Sequence, residues 1–350
     1  MNRVNGSSLK TIREFYGKTQ SYLAKSLGVS QPTLSKIEKG EKPLEPEQVK
    51  FFAEYFTESF FYNNIIEANP RLYYRKLSSI NKSTINLFES RINLIHNAIN
   101  KGLEIVDLES MKLPQIDAEL FDLDFEYIAT EVRLKFGMGR GPILNIVKVL
   151  EANGVIIHFF DFDFISEENR KFDGVSFYTN GTPVILINKK IPNSRKVFTI
   201  AHELGHLVMH FDNVIHNYRD IEKEANNFAA AFLSPSKDIK PELRRLTMEK
   251  LEALKMEWNM SLSALVYRAY TLKTISEQTL RWWMMRLSPI RKNEPHEFAL
   301  EDPQLLNDML DLLKEETNDT FFADLGYSEK LQQELFNIFN FKPKVKLKLV

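Results

Sequence analysis

The spacing of apolar positions changes along the chain, and each change marks a new kind of element. Residues 1 to about 62 carry short runs at helical spacing, separated by Gly and Ser. From Asn69 to about Lys112, Leu77, Ile80, Ile85, Leu87, Ile92, Leu94 and Ile99 stand among charged residues, the pattern of a long polar helix or helix pair acting as a spacer. An acidic stretch, QIDAELFDLDFE, leads through the helical pattern EYIATEVRLKFGMG to Gly141-Pro142. A further amphipathic helix, ILNIVKVLEANG, stops at the C-cap glycine Gly154. The period then becomes strand-like. VIIHFFDFDF is short, apolar and rich in β-branched and aromatic residues, and GVSFYTNGTPVILIN reads as two strands joined at Asn180-Gly181, a strong hairpin signal. Pro183 weakens the start of the second strand and suggests an edge. From Ser194 the pattern is helical again, until FKPKVKLKLV alternates Lys with apolar residues as an edge strand or adherent tail would. These periods predict a mainly α fold with a small β-sheet, in the α+β class.

Composition sharpens this picture in two places. The 46 basic residues nearly balance the 47 acidic ones, so a basic surface must be local. It is: residues 1 to 43 hold eight Lys or Arg against three Glu, a charge of about +5 that suits phosphate contacts. With no cysteine in the chain, thiolate sites are excluded and His, Asp and Glu remain as metal ligands. The opening MNRVNGSSLK lacks a secretory apolar core, and no run approaches the roughly 20 apolar residues of a membrane span, so the expectation is a cytoplasmic protein with no membrane partner.

Within the basic segment, QSYLAKSLGVSQPTLSKIEKG places a helix ending at Gly28, a three-residue turn, and a second helix capped by Ser30. Ala24 is small where two helices cross, Gly28 can take a positive φ, and Leu34 and Ile37 would bury the later helix. The sequence resembles the XRE/Cro-type helix-turn-helix over about residues 8 to 62. That resemblance implies duplex DNA as a partner, bound by a homodimer on a two-fold site. It implies that Gln31, Thr33, Ser35 and Lys36 face the major groove and that Gln20 touches phosphate. The competing reading is a helical adaptor that binds protein.

The stretch TIAHELGHLVMH sets two imidazoles and a carboxylate in an otherwise apolar helix. His202 and His206 lie one turn apart and project toward a common point, while Glu203 sits beside them where it can activate a water. Ile200, Ala201, Leu204, Leu207 and Val208 would bury the helix, and Gly205 suggests a close approach by a backbone or a substrate. A third histidine two turns on does not fit, since Met209 and Asp212 stand in the required places. Glu222 and Glu224 on the following helix are the alternatives, with Glu222 favoured by spacing and Asn226 one turn beyond it able to orient a ligand histidine. Both glutamates would equally suit a solvated helix face, although Ala229, Ala230 and Ala231 argue for tight packing.

The strings RKVFTIAHELGHLVMH and IEKEANNFAAAFLSP, with PILNIVKVLEANGVIIH, DGVSF and ILIN upstream, resemble the ImmA/IrrE family of metallopeptidases over about residues 125 to 290. The resemblance implies a zincin-like (gluzincin) domain, Zn2+ held by His202, His206 and Glu222, and Glu203 as general base. It also implies a protein substrate, a helix-turn-helix repressor or antitoxin-like protein cut during stress, phage or mobile-element responses. Two departures stand out: Ser234 lies where the family often has Met, and the helix-turn-helix is in the same chain as the peptidase. The expected organisation is a five-helix DNA-binding domain (1–65), a helical linker (66–115), a peptidase domain (116–290) and a C-terminal helical extension with a tail (291–350). The ILIN strand would offer its edge to an extended substrate. His96, His158 and His296 read as isolated, His210 and His216 as loop residues, and neither Tyr178 nor Tyr218 is singled out to stabilise an oxyanion. A catalytically silent zinc-sensing repressor, or a protein-binding component of a toxin-antitoxin or phage-immunity system, would use the same residues.

Overall fold

The computed structural model describes residues 5–43, 52, 54–65, 68, 81–108, 112–165, 173–211, 213, 215, 216, 218–291 and 294–338. The chain opens with α1 (Gly6–Phe15), α2 (Gln20–Ser26) and α3 (Gln31–Glu38). Thr19 and Ser30 cap the second and third helices, accepting the amides of Tyr22 and Thr33. Between them Gly28 takes φ +69°, and a Cβ added there would meet no atom within 4 Å, so the left-handed turn and not crowding requires glycine. Leu23, Ala24, Leu34 and Ile37 are buried against Leu9 and Ile12. Arg13 ties α1 to α3 through a two-point pair with Glu38. Of the two further helices expected before residue 65, Glu58–Tyr62 forms a 3-10 helix, and residues 44–51 and 53 lie outside the described residues.

The next helix, α4 (Lys82–Gly102), differs from the solvated spacer its polar sequence suggests. It is buried from Phe88 onward, between α1 and one face of the sheet. Its polar residues are accommodated one by one. The Arg91 guanidinium lies 4.1 Å from the Phe15 ring centre and 4.2 Å from that of Phe164, and donates to the Phe15 carbonyl. Asn100 accepts from Thr179, and Asn97 meets the Tyr327 hydroxyl. A buried polar group is tolerated when it is hydrogen-bonded, which composition alone does not reveal.

After α5 (Phe125–Lys135) and α6 (Ile146–Glu151) come β1 (Ile156–Phe160), β2 (Gly174–Thr179) and β3 (Thr182–Asn188). The hairpin falls at Asn180-Gly181, with φ 48° and 78° respectively. The sheet order is β1-β3-β2, with β1 parallel and β2 antiparallel to β3. Pro183 therefore does not mark an edge, and β3 is the central strand. The proline is tolerated because the parallel ladder begins one residue later, at the Ile156 to Val184 pair, so its missing N–H removes no ladder bond.

Alternation along these strands gives the sheet two different neighbours. Ile156, Phe160, Val175, Phe177, Val184 and Leu186 face the core shared with α1 to α4. Ile157, Phe159, Ile185 and Ile187 face a second core built with α7 (Asn193–Met209), α8 (Ile221–Leu233), α9 (Met248–Trp258), α10 (Leu262–Thr271) and α11 (Glu277–Leu287). The chain then returns to the first core through α12 (Leu305–Glu316), α13 (Phe321–Leu325) and α14 (Glu329–Phe336). There Phe56 bridges Tyr327, the Thr57 amide donates to Gly326, and the Ser328 amide donates to Tyr55. The 305–336 segment is thus packed into the N-terminal core, and the tail from 339 onward lies outside the described residues. Among the described residues no helix is long and apolar enough to cross a membrane.

Candidate metal centre

Helix α7 is buried along its apolar residues and pressed between the sheet and α8. Gly205 is the point of closest approach: a Cβ there would lie 2.9 Å from the Phe228 ring and 3.4 Å from the Ala225 backbone. The close neighbour that the glycine implies is therefore α8. Asp220 caps α8 by accepting the Lys223 amide, which fixes Glu222 in the first turn, opposite the two histidines.

His202, His206 and Glu222 converge, each with a ligand-capable atom within 4.8 Å of the others. The two Nε2 atoms are 3.1 Å apart, and the Glu222 oxygens lie 3.6 Å from each of them. Ligand bonds of about 2.0–2.1 Å in a tetrahedron would separate neighbouring donors by about 3.3 Å, so these spacings fit a zinc ion. Glu224 lies outside the cluster and takes another part.

The remaining ring nitrogens show why the pair suits a cation. His202 Nδ1 is 3.0 Å from Asn226 Oδ1, an oxygen that can only accept, so Nδ1 carries the hydrogen and Nε2 presents a lone pair. His206 Nδ1 is 2.9 Å from His210 Nδ1, and His210 Nε2 is 2.9 Å from Glu224 Oε2. The carboxylate makes His210 a donor at Nε2, which leaves its Nδ1 to accept from His206 and again frees His206 Nε2. Arg219 closes the chain, donating to both Glu224 oxygens at 3.0 and 2.6 Å. Burial pushes the His206 imidazole down to about 3, and pushes His210 down as well, so both rings are neutral at neutral pH as metal ligation requires. Burial alone would raise Glu224, but the hydrogen bonds from His210 and Arg219 outweigh it and hold the carboxyl at about 2. Sequence reasoning does not assign this role to His210, Glu224 or Arg219. The signal is there in part, since His210 lies one turn beyond His206 on the same helix face.

Glu203 is buried beside the histidines and its Oε2 accepts from Ser176 Oγ at 2.7 Å. Gly174, two residues earlier on β2, lets the strand approach: a Cβ there would meet Thr199 at 2.7 Å and Glu203 at 3.2 Å. Sequence reasoning misses Ser176, because only the sheet order places β2 beside α7. Tyr178 donates to the Leu207 carbonyl at 3.2 Å, and the exposed Tyr218 donates to Glu119 at 2.7 Å. The ILIN strand has a partner on both sides, so it has no edge to offer a substrate chain. The outer strand on this side is β2.

In the N-terminal domain Gln31 and Lys36 are exposed and Thr33 and Ser35 half-buried, all on α3. The Thr33 hydroxyl is 2.9 Å from Ser30 Oγ, while the Gln20 amide donates to Glu38 at 2.8 Å and is held against α3.

Comparison with known families agrees with this architecture. Residues 152–270 match the peptidase M78 family, described as an IrrE N-terminal-like domain. Residues 9–63 match a helix-turn-helix family. The chain thus joins a helix-turn-helix module of the XRE type to an M78-type peptidase domain. No curated protein matches the chain.

Proposed function

We propose that the protein is a DNA-binding regulator whose second domain is a zinc-dependent endopeptidase. One observation carries the reading: two imidazole lone pairs and a carboxylate converge at zinc-like spacing, with a buried glutamate beside them. Zn2+ held by His202, His206 and Glu222 would supply Lewis acidity, making a water acidic and polarising a peptide carbonyl. The protein's own groups do the rest. Glu203 accepts the proton of the attacking water and returns it to the leaving amine. Ser176 fixes the Glu203 carboxylate, while Asn226 and His210 fix the ligand rings. Substrate in extended form would add to β2, the outer strand that carries Ser176. Duplex DNA would be bound by α3 through Gln31, Ser35 and Lys36, and Thr33 would support the helix start through its contact with Ser30.

Metal content tests the centre. The purified chain should hold about one zinc per molecule, and His202→Ala should lose it; an unchanged metal content in that variant sinks the assignment.

A further inference from the structure

The metal centre and the DNA-binding helix leave one large apolar surface without a role. Helix α5 turns Tyr127, Glu131, Leu134 and Lys135 outward, while Ile128, Ala129 and Val132 on its other side are buried. Leu134 is 63% exposed and Tyr127 45%, and the Phe121 ring stacks on Tyr127 with centres 5.3 Å apart. With Ile116 and Ile128 as its floor, this face borders a groove of about 460 Å3. Leu120, at 79%, and Leu123, at 41%, stand on the turn that leads into the helix. The five exposed side chains from Leu120 to Leu134 present roughly 500 Å2 to water, near the top of the range for the largest apolar patch on a monomer.

The charges on the face identify what covers it. Glu131 and Lys135 lie one turn apart and both border the groove. Among the described residues neither has an ion-pair partner within the chain. One acid beside one base favours neither a basic nor an acidic stranger, but it matches a second copy of itself, because a two-fold interface sets the same patch against itself. When two α5 helices cross antiparallel about an axis beside Leu134, Glu131 falls opposite the partner's Lys135, and Lys135 opposite the partner's Glu131. The two Leu134 side chains then meet between the two ion pairs. Two such faces remove about 1,000 Å2 of apolar surface from water, which reaches the size of a specific interface.

The DNA-binding domain offers no comparable patch among its described residues. Its large exposed apolar side chains there are Tyr22 and Tyr62, and Lys18 lies over the Tyr22 ring at 4.7 Å.

We propose that the protein is a two-fold dimer joined through α5, outside the DNA-binding domain, with a second copy of the chain covering the groove beside that helix. Each copy keeps α3 free, so a two-fold DNA site would be held by modules that are paired through a helix they do not contain. The dimer needs neither zinc nor hydrolysis, so its failure leaves the metal centre untouched.

Sedimentation equilibrium of the full chain over a range of concentrations tests this, at about 0.1 M salt so that exposed pairs are not fully screened. The wild type should dimerise with a Kd of about 1 µM or tighter. Leu134→Glu sets two like charges at the axis and should leave a monomer. Lys135→Glu places acid opposite acid and should weaken the dimer about tenfold or more. Adding Glu131→Lys to that variant reverses both partners and should restore the dimer, a recovery that damage to the fold would not give. Should Leu134→Glu fail to fold, the two charge variants decide alone. The proposal is overturned by a wild type that stays monomeric at every concentration, by a dimer that folded Leu134→Glu leaves intact, or by a double variant no tighter than Lys135→Glu.

Discussion

Replacing His210 by Phe tests the hydrogen-bond chain behind the metal centre. The side chain is buried, so a ring of similar size fills the space while removing both the acceptor for His206 Nδ1 and the donor to Glu224. Glu224 keeps its two bonds from Arg219, at 3.0 and 2.6 Å, so the damage falls on His206. A buried donor left unpaired costs about 1–3 kcal/mol. Loss of an outer partner typically weakens metal affinity about 10- to 100-fold, which is about 1.4–2.8 kcal/mol, so the two magnitudes agree. Competition against a chromogenic chelator near neutral pH would read the change. The His210→Phe chain should fill at zinc levels raised by that factor, with its circular dichroism unchanged. An affinity within about twofold of the wild type would refute the idea that His210 fixes His206.

Two further outcomes follow from the fold. Burial lowers His158 to about 4 from 6.5, and its Nε2 donates to the Leu335 carbonyl. The folded pKa lies below the unfolded one, so the unfolded chain binds the extra proton, and stability present above pH 6.5 is lost as the pH falls toward 4. The shift corresponds to about 3 kcal/mol; in unfolding titrations, His158→Phe should remove about that much of the acid sensitivity, and an identical pH profile would contradict the assignment. Removing residues 305–350 strips Tyr327, Leu331 and Leu335 from the core of the N-terminal domain, each fully buried side chain being worth about 1.5–3 kcal/mol. The shortened chain should unfold at lower temperature and lose affinity for duplex DNA, and unchanged values of both would show that the N-terminal domain is self-sufficient.

Local features of the sequence carry most of what can be read from it. The 3.6-residue period, the Ser30 cap, the Gly28 turn and the Asn180-Gly181 hairpin each depend on a few adjacent residues, and each appears in the fold. The convergence of His202 and His206 is likewise set within one helical turn. Choosing Glu222 over Glu224 is close to the limit of such reasoning, because two residues on one helix differ by about 200° in facing. What sequence patterns miss depends on contacts between distant segments. Strand order cannot be read from alternation, so Pro183 alone points wrongly to an edge at β3 and nothing points to Ser176. The α4 helix reads as a spacer because its Arg91, Asn97 and Asn100 are polar, although partners far along the chain satisfy them. The attachment of α12 to α14 to the N-terminal core has no local signature at all.

The central claim is hydrolysis at this centre, and Glu203 separates it from a silent metal site. On the proposed mechanism Glu203 moves a proton and is not among the three converging groups, His202, His206 and Glu222, so Glu203→Gln should keep zinc and DNA binding. Zinc-loaded wild type and Glu203→Gln would each be incubated with a cell extract, and new protein N-termini would be identified by mass spectrometry. The account predicts cleavage sites in helix-turn-helix proteins with the wild type and a rate lower by about 10²- to 10⁴-fold with the variant. The same cleavage sites at the same rate in both samples, or none above a chelator-treated control, would contradict it.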